Sequence, residues 1–174
     1  RNLGVHTTFN LLGPLTNPAH APFQLVGVWD HSVVERVASA LALLGVIRAW
    51  VVHAADGLDE VTITGETFVA ACSARAGVKT FTISPEDFGL QRRSIDRRRE
   101  GPAENARVIR AILEGKNGGF AVARDLVVIN AAAALHLAGV ANDFQNAAAM
   151  ARESIENGQA VSKLEALIRE TNRS

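Results

Sequence analysis

Cysteine is nearly missing from this chain. Cys72 stands alone, so no disulfide can form within the sequence, a usage that suits a reducing compartment. An excess of either charge is missing as well. Eighteen Lys and Arg balance eighteen Asp and Glu, which removes the electrostatic case for nucleic acid or an anionic membrane as the main partner. No apolar run reaches the roughly 18 residues that a membrane helix needs. The most apolar stretch, 33–47, is broken by Glu35 and Arg36 and closes at Gly45. No signal-peptide pattern opens the chain, so the cytoplasm is the expected location. Met150 is the only methionine and the first residue is Arg1; the sequence therefore reads as a fragment, a processed product or a trimmed chain.

Metal-binding spacing is also lacking. His6, His20, His31, His53 and His136 contain no i, i+4 pair, and Cys72 has no cysteine partner, so a zinc site is not expected. Ser32, Ser73 and Ser84 lack the strand–turn–helix context of a nucleophile elbow, which leaves a Ser-His-Asp triad without support. What is present is ordinary for a soluble globular domain: 48% hydrophobic and 21% charged residues over 174 positions, enough for one domain with a sizeable core.

The pattern of elements is α/β. Gln24 to Trp29 is a continuous apolar run and reads as a strand buried on both faces. Asp30 is a helix N-cap, followed by Val33, Val34, Val37, Leu41 and Leu44 at helical spacing and by Gly45 at the stop. Arg48 to His53 is a second apolar strand, so the unit is β-α-β with a parallel pair. Three short β-branched segments, 60–63, 67–72 and 78–83, predict a small antiparallel insertion or meander. Ser84 and Pro85 mark a helix start. Residues 91–101 are arginine-rich and irregular, and helices are predicted over 103–113, 125–137, 143–157 and 160–171.

Few residues point to chemistry. Thr8 to Pro18 breaks at Gly13-Pro14 and again at Asn17-Pro18. Pro disfavours a helical residue before it, so Gly13 and Asn17 are predicted to be non-helical and the segment to be a stiff, shaped loop. Asp59-Glu60 follows the Asp56-Gly57 turn at the mouth of the second strand. At a loop-to-strand junction both carboxylates can reach one cation, and Mg²⁺ commonly takes one or two carboxylates plus substrate phosphates. A solvated acidic turn is the alternative. His53 at a strand end reads best as a hydrogen-bonded structural residue. Gly115 to Gly119 lacks P-loop spacing and follows a helix, so Gly115 reads as a C-cap. Arg92, Arg93, Arg97, Arg98 and Arg99 are diluted by Asp96 and Glu100 and carry no interleaved aromatic, which suits a solvated face.

The whole string Thr8-Phe9-Asn10-Leu11-Leu12-Gly13-Pro14-Leu15-Thr16-Asn17-Pro18-Ala19 resembles a signature of the anthranilate phosphoribosyltransferase family. His53 to Val61 is similar to that family's V-H-G-x-D-G-L-D-E segment, with Ala54 in place of the usual glycine. Phe88-Gly89-Leu90, Ala103-Glu104-Asn105-Ala106, Asn130 to Leu135 and Lys163 to Leu167 extend the likeness nearly end to end, mostly as packing features. The resemblance implies residues 1–174 as the C-terminal part of the phosphoribosyltransferase α/β domain. In that fold a mostly parallel central sheet is flanked by helices and carries a small antiparallel insertion, as in nucleoside phosphorylases. The family's N-terminal helical domain and its glycine-rich G-T-G-G-D loop do not occur in this sequence. The resemblance also implies the reaction: phosphoribosyl transfer from phosphoribosyl pyrophosphate to anthranilate in tryptophan biosynthesis, with Mg²⁺ held by Asp59 and Glu60. Gly13 and Pro14 would form a wall of the acceptor pocket through backbone contacts, and the parent would be a homodimer. The 174-residue chain alone is expected to lack turnover. The alternatives are a related phosphoribosyltransferase or nucleoside phosphorylase with another acceptor, which a nitrogenous base replacing anthranilate would reveal, and a non-catalytic binding paralogue.

Overall fold

The structure is a computed structural model that describes residues 13–95, 101–116 and 119–173. Strands β1 (Phe23–Gly27), β2 (Arg48–Ala54), β3 (Thr67–Ser73) and β4 (Gly77–Ile83) form one sheet in that order. β1 and β2 are parallel; β3 and β4 continue the sheet antiparallel. The α/β class is as expected from the sequence. β3 and β4 form the antiparallel meander the sequence allowed, and it extends the sheet directly from the second strand; among the described residues the sheet is therefore mixed, with one parallel and two antiparallel pairings, and not mostly parallel.

The segment 60–63 is not a strand. Its alternating residues look like one, but instead of a neighbouring strand its backbone meets the Asn130 side chain at Val61, Thr67 Oγ1 at the Thr62 N–H and the Arg93 N–H at the Ile63 carbonyl. Gly13 is another difference. Residues 13–15 are helical; glycine lacks the Cβ that makes part of the clash with a following proline ring, so the restriction before proline is weaker at Gly13. Asn17 is non-helical as expected, and its side-chain Oδ1 accepts from the Ala19 N–H at 2.9 Å.

The crossover from β1 to β2 is helix α1 (Val34–Leu43), entered through a 3-10 turn over His31–Val33. The Asp30 carboxylate caps that turn by accepting from the Ser32 N–H at 2.8 Å, and Gly45 ends the helix region at φ 86°. Ser84 and Asp87 form a capping box on a 3-10 turn, Pro85–Phe88. Helices α2 (Pro102–Leu113), α3 (Ala121–Leu137), α4 (Phe144–Glu156) and α5 (Gln159–Thr171) follow. α3 starts a turn earlier than the predicted 125, so Asp125 sits inside the helix, where it pairs with Arg93 at 3.0 Å. Gly115 closes α2 at φ 70°, with the Lys116 N–H donating to the Ala111 carbonyl at 3.0 Å.

The sheet has a core on each face. Because side chains alternate along a strand, Trp50 and Val52 of β2 face one side, and Ala49 and Val51 the other. The first side packs with Phe88, Ile112, Val128, Ile129 and Ala148. The second packs with Val34, Val37 and Leu41 of α1. This two-sided burial explains why β2 reads as a nearly unbroken apolar run. Among the described residues, no helix is long and apolar enough to cross a membrane.

Candidate functional site

The chemistry-bearing residues gather where β1 and β2 finish. Both strands point the same way, so both deliver their following loops to one edge. Past the end of β1, the Val28 N–H donates to the Val52 carbonyl at 3.0 Å. The Val28 carbonyl accepts from His53 Nδ1 at 2.8 Å. His53 is thus the hydrogen-bonded structural histidine the sequence suggests, and its ring meets His31 edge-on at 6.4 Å.

The loop from β2 to β3 presents the acidic pair. Ala54, which replaces the glycine of the resembled motif, is the last residue of β2, pairs with Thr67 and is fully buried. It has no positive φ, so an alanine fits there without strain. The loop turns through Gly57 at φ 85°, whose N–H donates to the Ala54 carbonyl at 2.8 Å. The Ala54 N–H in turn donates to the Leu58 carbonyl at 2.9 Å. Asp56 is the polar centre of the loop. Its carboxylate accepts from the Leu58 N–H at 3.2 Å, from Thr62 Oγ1 at 2.9 Å and from Thr64 Oγ1 at 2.7 Å. Sequence inspection ranks Asp56 only as a turn residue, because its partners lie six and eight positions on and are recognisable only once the loop is closed.

Asp59 and Glu60 stand exposed between two pinned neighbours. On one side, Leu58 is held as above. On the other, Val61 is 1% exposed, and its backbone is gripped by a side chain from α3. Asn130 Oδ1 accepts from the Val61 N–H at 2.9 Å, and Asn130 Nδ2 donates to the Val61 carbonyl at 2.9 Å. The backbone of Asp59 itself lies against β1: a Cβ built on Gly27 would fall 1.5 Å from the Asp59 carbonyl oxygen. Gly27 therefore marks a close backbone approach, a use that glycine alone allows.

The electrostatics suit a cation. Among the described residues, no Lys, Arg or His forms an ion pair with Asp59 or Glu60. Although Glu60 is exposed as a residue, partial desolvation of its carboxyl and, second, the adjacent Asp59 charge push its pKa upward. Two uncompensated neighbouring carboxylates gain from a divalent ion that neutralises both. Among the described residues there is no group of three or more His, Cys, Asp or Glu able to hold a metal. Two adjacent carboxylates are a donor set of the kind Mg²⁺ can use, since it keeps waters and shares substrate phosphates.

The other expected site residues lie elsewhere. Pro14 lines a cavity with Leu41, Leu44, Gly45, Val46 and Ile47, where β2 begins, and Gly13 is exposed. The structure does not bring Gly13 and Pro14 together with Asp59 and Glu60: the pairs sit at opposite ends of the β1/β2 ladder. Arg92 pairs with Glu86 at 2.9 Å and Arg93 with Asp125 at 3.0 Å, so each has a carboxylate partner. Arg97, Arg98, Arg99 and Glu100 lie outside the described residues, as do Thr8 to Leu12, His6, Asp96, Asn117 and Gly118.

Residues 1–161 match the profile of a family described as glycosyl transferase family, a/b domain. The chain is 50% identical to anthranilate phosphoribosyltransferase of Moorella thermoacetica, an alignment that covers 97% of this chain and 49% of that protein. Among solved structures, it is similar to anthranilate phosphoribosyltransferase from Saccharomyces cerevisiae in complex with PRPP and Mg, with a TM-score of 0.83 and 32% identity over 93% of this chain and 46% of that one. The same yeast enzyme in complex with 4-fluoroanthranilate gives a TM-score of 0.83 at 31% identity, covering 93% and 47%. The chain spans about half the length of the curated relatives it matches.

Proposed function

The chain belongs to the glycosyl transferase family, a/b domain, and from that membership we propose that it carries the magnesium-binding part of a site that transfers phosphoribosyl from phosphoribosyl pyrophosphate to anthranilate. The observation that supports this most directly is the pinned, uncompensated Asp59-Glu60 pair at the strand ends. Relatives that bear the same activity in their names align over almost the whole chain, and a yeast relative is described with PRPP and Mg bound. The reaction requires pyrophosphate to depart while positive charge develops at the ribose C1. Magnesium, when bound, supplies electrostatic stabilisation of that leaving group. Asp59 and Glu60 would hold the ion through their carboxylates. Leu58, Val61 and Gly27 fix where those carboxylates stand, which is positioning and not proton transfer. His53 has its Nδ1 proton committed to the Val28 carbonyl and serves the strand end.

The complete reaction, its homodimeric assembly and its cytoplasmic setting are assigned to a protein of the relatives' length, in which residues 1–174 would form the C-terminal part of the α/β domain. In that protein, the double substitution Asp59→Ala with Glu60→Ala should lower magnesium-dependent kcat/KM by about 100-fold. Unchanged turnover across a magnesium titration would remove the pair from the site. Gly13 and Pro14 are assigned to the acceptor wall on the family likeness alone, since in this structure they lie at the far end of the β1/β2 ladder from Asp59 and Glu60. Anthranilate should then slow hydrogen exchange across residues 13–16. If saturating anthranilate left exchange there untouched, the wall would lie elsewhere and the magnesium assignment would stand.

A further inference from the structure

Asn130 sits in α3, 69 positions from the residue it grips, and in the sequence it reads as part of a small-residue packing motif. Its side chain behaves otherwise. One amide hydrogen goes to the Val61 carbonyl at 2.9 Å, the other to the Leu126 carbonyl one turn back in its own helix at 3.0 Å. The amide oxygen takes the Val61 N–H at 2.9 Å. The orientation is fixed by chemistry: a flipped amide would set its oxygen against two carbonyls and its NH₂ against an N–H. The Leu126 bond locks the rotamer, so the two bonds to Val61 act as a rigid fork. Within the described residues, Val61 makes no other backbone bond. A side chain thus occupies the place that a neighbouring strand would take.

We infer that Asn130 is a positioning residue for the dicarboxylate: it holds the backbone one residue beyond Glu60 and thereby sets the spacing at which Asp59 and Glu60 meet a divalent cation. This rests on the magnesium reading of that pair. The physical ground is the two-sided anchorage. Asp59 is stopped against β1 at Gly27, and Val61 is clasped from α3. The acidic pair is stretched between two fixed points on separate elements, so its geometry is set before any ion arrives. Outer residues that orient ligands commonly influence metal affinity by 10–100-fold when changed.

The test uses Mn²⁺ alone, followed by the loss of its free-ion paramagnetic resonance signal, on the full-length protein. Asn130→Asp is the informative variant. It retains an acceptor for the Val61 N–H but loses both donors and adds a negative charge near the pair. Charge alone would tighten the cation; loss of the fork loosens it, so the two effects have opposite signs. The inference expects Mn²⁺ binding about tenfold weaker, with faster amide exchange at Val61. Ile155→Ala, a buried truncation in α4, serves as the control for general destabilisation and should leave Mn²⁺ affinity unchanged. If binding depends on Asp59 and Glu60 yet is equal or tighter in Asn130→Asp, the positioning role is overturned and the magnesium reading survives. If Asp59→Ala with Glu60→Ala leaves Mn²⁺ binding intact, the magnesium reading falls, and the positioning role with it. Equal weakening in Ile155→Ala would make Asn130 merely structural and overturn the inference as well.

Discussion

Gly27→Ala is expected to destabilise the protein by about 3 kcal/mol and to disrupt cation binding in the same step. The new methyl would lie 1.5 Å from the Asp59 carbonyl oxygen and 2.5 Å from its carbonyl carbon. These are backbone atoms, so no side-chain rotation can relieve the clash. Either β1 retreats from β2, costing the parallel ladder in which Gly27 sits opposite Val52, or the Asp59 peptide moves. The second route is open because Asp59 is exposed, and it displaces one of the two proposed ligands. Urea unfolding measures the first effect and Mn²⁺ titration the second. Gly65→Ala is the control. It lies in the same loop region, has no positive φ and has nothing within 4 Å of a built Cβ, so its unfolding midpoint should stay within about 0.5 kcal/mol of the parent. Equal stability of the two variants would mean that β1 and the acidic loop are not in contact.

Asp56→Ala should cost about 3 kcal/mol. The carboxylate accepts at least three hydrogen bonds from its own loop, and bonds to a charged group are stronger than neutral ones. Thr62 is 1% exposed, so water cannot readily replace the lost acceptor at its hydroxyl. The full sum of three bonds is not expected, because Thr62 Oγ1 lies 3.2 Å from Thr64 Oγ1 and also accepts the Thr64 N–H at 3.1 Å. Those contacts survive and absorb part of the loss. Asp56→Asn keeps an acceptor but not the charge, and should cost less. A double-mutant cycle with Thr64→Val isolates the 2.7 Å bond: strictly additive effects would show that the two residues do not interact. With the loop loosened, Asp59 and Glu60 lose their Leu58 anchor, so the affinity for Mn²⁺ should fall along with stability.

Much of the scaffold is legible in the residues because its signals are local. Asp30 capping the entry turn, Val34, Val37 and Leu41 at helical spacing, and Gly45 after them mark α1 and its approach through local signals. The apolar run of β2 announces burial on both faces, and the short connection through one helix implies the parallel pair. The misread segment 60–63 shows the limit. Its alternation is real, and Val61 and Ile63 are indeed in the core, but alternation reports which side chains are buried and not what the backbone bonds to. Gly13 shows the same limit from the opposite direction: the restriction before proline is weaker for glycine, which lacks the Cβ that contributes to it.

The acidic pair itself was visible as residue types at a turn. Its mounting was not. Asp59 is placed by Gly27 at the end of β1, and Val61 by an asparagine 69 positions later. By itself the sequence determines which segments are buried, which of them are helices, and which carboxylates stand together at a turn, since these follow from side-chain chemistry and near neighbours. Only the tertiary structure decides that β3 and β4 extend the main sheet, that Gly13 and Pro14 lie at the far end from the pair, and that Gly27 and Asn130 hold it. Those outcomes depend on backbone groups meeting across long loops, and a hydrogen bond or a 1.5 Å steric limit leaves no periodic trace in the residues that form it.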